Sequence, residues 1–150
     1  MHAFAVAIAL ATLVLNAVAA LIGAWAWLRF ESPRAFWPAL RAGQAAAVAQ
    51  AVFAGVAALS GARPDDGLYW LYAVLPVAVG FLAEQLRLTV AQAELDRRGL
   101  ESAQAAGALS EAEQQGLVAA ILHREQGIMA IAAAVVAFLA LRALATSAGL

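Results

Sequence analysis

Four stretches of this chain are apolar for about as long as a helix needs to cross a membrane. They cover approximately residues 3–28, 37–59, 68–90 and 127–147. A transmembrane helix requires about 20 apolar residues, whereas a barrel strand alternates apolar and polar residues over roughly ten positions. These runs are continuously apolar and rich in Ala and Leu. They therefore predict an all-α fold, an integral membrane four-helix transmembrane bundle.

The composition agrees with this class of protein. Hydrophobic residues make up 65% of the 150 residues and charged residues 13%, against roughly 45–50% and about 25% in soluble domains. The apolar excess has to face membrane lipid, which is the first partner we expect for this single domain. The absence of cysteine excludes disulfides and thiolate metal sites. A net charge of −1 gives no reason to expect nucleic acid as a partner.

The third connection differs from the two short ones before it. Helical pattern continues past the third apolar run to about Arg98, and Gly99 then stops it. Ser110 and Glu113 have the spacing of a capping box, which starts a new helix there. We therefore expect a cytoplasmic helical extension between helices 3 and 4, a hairpin over approximately residues 91–126.

The arginines predict the orientation. Seven of the nine basic residues lie near the first and third connections: Arg29, Arg34, Arg41, Arg87, Arg97, Arg98 and Arg124. Only Arg63 and Arg142 lie on the other side. Because positive residues favour the cytoplasmic side, we expect a multi-pass protein of the inner or plasma membrane with both termini outside the cytoplasm.

Polar side chains from three helices fall in one band near the cytoplasmic boundary. At 1.5 Å per residue, Arg41 lies about 6 Å inside helix 2, and Glu84 lies about 24 Å along helix 3 from the opposite surface. Arg41 can then pair with Glu84, and Arg87 with Glu125. The candidate pocket residues are Arg41, Gln44, Glu84, Arg87, His123 and Glu125.

Two interpretations of this band remain open. Arginine and glutamate near helix ends often pair as a structural clamp, which costs little at an interface. Alternatively, the band is a cytoplasm-facing polar pocket that binds an ion, a proton or a small anion. The clamp is the more ordinary interpretation, and the depth of Glu84 is the argument for the pocket, because a buried carboxylate is expensive without a reason.

Helix 3 carries a proline inside its apolar run. Pro76 removes the hydrogen bond to the carbonyl of Tyr72 and favours a kink. Gly80 and Glu84 follow at one-turn intervals on the same face. This stripe is either a cavity-lining face with a hinge or an ordinary packing face, since proline is common in membrane helices.

Helix 2 carries small residues at four-residue spacing: Gly43, Ala47, Ala51 and Gly55. Such a seam lets another helix approach closely. It packs either within the chain or across a homodimer. Gln50 and the mid-membrane Asn16 are expected to form hydrogen bonds between helices.

Three classes of function follow. The first is ion, proton or small-solute transport or binding through the polar pocket, with Glu84 as the ion or proton site. The second is an accessory or scaffolding subunit of a larger membrane complex. The third is a membrane enzyme acting on lipid or quinone, with Glu84 and His123 as acid–base candidates. The sequence defines no cofactor and no metal site, and His2 and His123 lie at opposite ends, where they cannot share a haem within one chain.

Overall fold

The computed structural model describes residues 1–100 and 102–150. Over those residues the chain is helical, without strands. The elements are α1 (His2–Arg29), α2 (Phe36–Leu59), α3 (Leu68–Arg97), α4 (Ala103–Gly107) and α5 (Glu111–Ala145). Four of these helices are long and apolar enough to cross a membrane, which confirms the predicted helical class and the four long apolar helices. The short α4 was not predicted, and the fourth apolar run belongs to α5.

The long helices are arranged as a ring. α1 packs extensively against α2 and α5, and α3 packs extensively against α5. The contact between α2 and α3, which closes the ring, is less extensive. This difference leaves space between α2 and α3, and the candidate site lies there.

Alanine and glycine allow the close approach of α1 to its neighbours. A Cβ atom added to Gly23 would lie 2.5 Å from Cε2 of Phe36 and 2.7 Å from Cβ of Ala130. A Cβ atom added to Gly127 would lie 2.8 Å from Nε1 of Trp27. Small residues at such crossings are typical of membrane helix packing, where van der Waals contact replaces the hydrophobic drive.

One end of the bundle joins the start of α1 to the region after α5. The Nδ1 atom of His2 lies 3.0 Å from the carbonyl oxygen of Ser147, and the backbone N–H of Asp65 donates to the carbonyl of Ala148 at 2.9 Å. The other end contains the α1–α2 connection and the charged parts of α3 and α5. We call it the arginine-rich end.

At the arginine-rich end α3 and α5 continue past their apolar segments and contact each other. Glu94 on α3 pairs with Arg98 at 3.4 Å and with Arg124 of α5 at 3.6 Å. The predicted capping box is present, with the Ser110 hydroxyl accepting from the Glu113 N–H and the Glu113 carboxylate accepting from the Ser110 N–H. The expected hairpin over 91–126 includes residue 101, which lies outside the described residues.

Candidate functional site

Glu84 is the centre of a hydrogen-bonded group of side chains at the arginine-rich end. Its Oε1 atom accepts from Nη1 of Arg41 at 2.6 Å and from Nε2 of Gln44 at 3.2 Å. Its Oε2 atom accepts from Nε of Arg87 at 2.9 Å. Arg87 continues to Glu125 on α5, with 3.5 Å between Nη1 and Oε2. We call these five residues the polar cluster.

Helical spacing brings the polar cluster together. Arg41 and Gln44 are three residues apart on α2, and Glu84 and Arg87 are three apart on α3, so each pair shares a helix face. Both ion pairs that the depths suggested, Arg41 with Glu84 and Arg87 with Glu125, occur in the structure. The two arginines and two glutamates cancel in charge, which lowers the cost of burying them together.

Arg41 has guanidinium nitrogens that make no hydrogen bond within the polar cluster. Its side chain is 52% exposed, and only Nη1 bonds within the cluster, to Gln44 and Glu84. Nε and Nη2 have no acceptor among the described residues. Arg87 is more enclosed, because its guanidinium lies 5.6 Å above the ring of Trp37. Arg41 is therefore the more accessible of the two arginines in the cluster.

His123 lies apart from the polar cluster. Its ring is stacked between Trp27, at a centroid distance of 5.6 Å, and Phe30, at 4.4 Å. Phe30 has φ 56° and ψ 35°, a left-handed conformation that costs a non-glycine residue roughly 1–2 kcal/mol. Stacking between aromatic rings stabilises such a pair by about 0.5–1.5 kcal/mol, which offsets much of this cost. Nothing in the sequence predicted this stack, because a left-handed residue at a helix end is usually glycine and not phenylalanine.

An apolar cavity of about 230 Å³ lies between α2 and α3, directly beside the polar cluster. Its lining residues are Asn16, Gln44, Ala47, Val48, Pro76, Val77, Gly80, Phe81, Glu84 and Val136. We call it the α2–α3 cleft. Pro76, Gly80 and Glu84, which share one face of α3, line the cleft. Tyr72, one turn before Pro76 on that face, lies instead under the guanidinium of Arg142 at 5.3 Å.

The small-residue seam of α2 makes different contacts along its length. Gly43 packs against Asn16 of α1, whose amide donates to the Gly43 carbonyl at 3.0 Å. Ala47 is buried and Ala51 is half-buried. Gly55 is exposed, and an added Cβ atom would meet nothing within 4 Å. The seam therefore packs within the chain at Gly43, and its use in a homodimer stays a prediction.

Two buried polar atoms have no hydrogen-bond partner among the described residues. They are Oε1 of Gln50 and the hydroxyl of Tyr69, on side chains exposed by 0% and 1%. The amide nitrogen of Gln50 reaches the Ala73 carbonyl on α3 at 3.5 Å, a long contact. An unsatisfied buried polar group costs about 1–3 kcal/mol. Both atoms belong to the half of the α2–α3 contact beyond the cleft. The sequence did not predict that they lack partners.

Among the described residues no group of His, Asp and Glu side chains is arranged to hold a metal ion. Comparison with protein-family models, curated proteins and solved structures finds no match to this chain. The interpretation of the site therefore depends on its own geometry and chemistry.

Proposed function

We propose that this protein is an integral membrane protein that binds a small amphiphilic anion. In this proposal the α2–α3 cleft holds the apolar chain of the ligand, and the polar cluster holds its anionic head. The observation that carries the proposal is the continuity of the two: Gln44 and Glu84 belong to the cluster and also line the cleft. A site with one apolar end and one charged end fits a ligand of the same design.

The outer surface of the helices supports a membrane location. Large apolar side chains are exposed on all four long helices, among them Leu21, Val52, Phe81 and Ile131. A soluble protein rarely exposes so much contiguous apolar surface. The arginine distribution favours the arginine-rich end as the cytoplasmic side, with the polar ends of α3 and α5 extending into the cytoplasm.

The mouth of the cleft favours a ligand that arrives from the lipid. Val48 and Phe81 line the cleft and are exposed by 51% and 63%. In a bilayer these side chains face acyl chains, so a ligand enters sideways without crossing water. From Pro76 to Glu84 the cleft extends about 12 Å along α3. Each methylene buried there contributes about 0.8 kcal/mol.

The charges favour an anionic head over a cation. Glu84 already accepts hydrogen bonds from two arginines, so a bare cation would have to displace them. The free nitrogens of Arg41 suit a carboxylate or phosphate, which a guanidinium binds through paired N–H groups. Glu84 and His123 share no contact, and we therefore rank ligand binding above acid–base catalysis by these two residues.

The test is a binding measurement in lipid nanodiscs with three ligands of equal alkyl chain length: tridecanoate, dodecyl phosphate and dodecyltrimethylammonium. We expect the two anions to bind more tightly than the cation, and Arg41→Gln to remove that preference. The first two ligands distinguish a carboxylate from a phosphate head. Equal binding of all three ligands would contradict the role of the polar cluster.

The role of the cleft is tested by filling it. A Cβ atom added to Gly80 meets nothing within 4 Å, so the larger side chain of Gly80→Leu occupies the cleft without a backbone clash. Displacing about three ligand methylenes weakens binding about 50-fold. Gly55→Leu is the matched control, because Gly55 also has free space and lies outside the cleft. Equal binding by the two variants would refute the cleft as the chain site.

A further inference from the structure

The α2–α3 contact has two halves that differ in structure. Towards the arginine-rich end, from Pro76 to Glu84, α3 lines the open cleft. On the other side of Pro76, Tyr69 and Ala73 pack against Ala54 of α2 in a closed, buried contact. The unpartnered Gln50 and Tyr69 atoms lie in this closed half. The cleft therefore stops where the partnerless polar atoms begin.

We infer that these two polar groups form a second subsite for the ligand's anionic head, and that the protein transfers its ligand across the membrane along the α2–α3 contact. This inference rests on the proposed function and adds a route to it. The Tyr69 hydroxyl is free to donate a hydrogen bond to an oxyanion. The Gln50 amide is held only by its long contact to the Ala73 carbonyl, so it can turn to donate as well.

Pro76 lies where the open half meets the closed half. Proline has no N–H, so the carbonyl of Tyr72 lacks its usual helical hydrogen bond and α3 bends more easily there. In this inference, bending of α3 at Pro76 opens the closed half. In the open form, water or the ligand head supplies the partners that Gln50 and Tyr69 lack. The buried, unpaired polar atoms thus favour opening of this half.

Water access to the closed half provides the first test, and the natural absence of cysteine makes it clean. Ala73→Cys places a thiol in the closed half, and Ala140→Cys places one on α5; both alanines are 0% exposed. Ala73 lies five residues from the start of α3 and Ala140 five residues from the end of α5, which are on the same side of the bundle, so both are about 8 Å in depth. In nanodiscs we expect a membrane-impermeant methanethiosulfonate reagent to modify Ala73→Cys at least tenfold faster. Equal rates would overturn the route.

Transfer itself provides the second test. Proteoliposomes contain a fluorescent alkyl phosphate, and external dithionite reports the fraction that reaches the outer leaflet. Removing one hydrogen bond to a charged head slows transfer about tenfold in Tyr69→Phe. Tyr72→Phe removes the same hydroxyl one turn away, on a ring that lies under Arg142, and is expected to leave the rate unchanged. Equal rates in the two variants would refute the subsite.

The two proposals fail in different ways. Labelling of Ala73→Cys together with unchanged ligand binding in Gly80→Leu would refute the amphiphile site and retain the opening. Loss of binding in Gly80→Leu together with an inert Ala73→Cys would retain the site and refute the route.

Discussion

Substitution of Gly23 by alanine tests the close contact of α1 with α2 and α5. The new Cβ atom would lie 2.5 Å from the Phe36 ring and 2.7 Å from the Ala130 methyl group. Carbon atoms in good contact are about 3.5–4.0 Å apart, so the neighbours must move by about 1 Å. Phe36 and Ala130 belong to the buried core and have little freedom to do so.

The size of the effect follows from two opposing terms. Overpacking a core costs about 1–3 kcal/mol, while replacing glycine by alanine in a helix returns up to about 1 kcal/mol. We expect Gly23→Ala to lower the free energy of unfolding by about 1–2 kcal/mol. Gly55→Ala has the helix term alone, because nothing lies within 4 Å of its added Cβ atom. That control is expected to be neutral or stabilising.

The assay is reversible unfolding in mixed micelles by titration with sodium dodecyl sulfate, followed by circular dichroism. The two variants differ in direction, so the comparison does not depend on the absolute free energy. If Gly23→Ala is as stable as Gly55→Ala, the close packing of α1 against α2 and α5 is not as the structure has it.

Two further predictions concern carboxylates. Glu84→Gln leaves Arg41 and Arg87 without their shared anion. Because the Glu84 side chain is only 24% exposed, we expect the free energy of unfolding in the same titration to fall by about 1–3 kcal/mol. Glu111→Gln, at an exposed position, is the control and is expected to leave it unchanged. Glu113 lies outside the apolar segments, and hydrogen bonds from the Ser110 hydroxyl and backbone hold the pKa of its carboxyl below the ordinary value. A lowered folded-state pKa means that the cap stabilises α5 above the ordinary carboxyl range and is lost as pH falls through the folded-state pKa. Amide protection factors at Glu113 and Gln114, whose N–H groups donate to Ser110, are therefore expected to fall in acid below about pH 4 and to lose that acid dependence in Glu113→Ala. Unchanged acid dependence in the variant would count against the cap.

The sequence predicted the helices well because each apolar run is bounded by polar connections. The run expected over 3–28 corresponds to His2–Arg29, and the run over 37–59 to Phe36–Leu59. The contact of Arg41 with Glu84 also followed from the sequence, since helical rise alone gives the depth of a residue. Two groups of opposite charge at equal depth in a helix bundle can pair, so their depth alone predicted this contact.

Features that depend on sideways spacing between helices were not predictable. The α2–α3 cleft exists because this contact is less extensive than its neighbours, and no periodicity reports the distance between two helices. Phe30 stacks on His123 from a left-handed backbone conformation. Bulky residues disfavour that conformation, so the sequence did not predict it. Gln50 was expected to bond between helices and does so through its nitrogen, but nothing in the sequence indicates that its oxygen is left unpaired.

The position of α1 has a consequence for how the bundle is made. Its most extensive contact is with α5, the last long helix along the chain. During synthesis α1 is made well before α5, because chains are made from the N-terminus. The Asn16 amide can donate its hydrogen bond to the Gly43 carbonyl as soon as α2 is made. The Gly23 carbonyl accepts from the Gln126 amide only after α5 is made. Until then the face of α1 that contacts α5 lacks this partner, and the time between the synthesis of the first and last long helices is when assembly is most vulnerable.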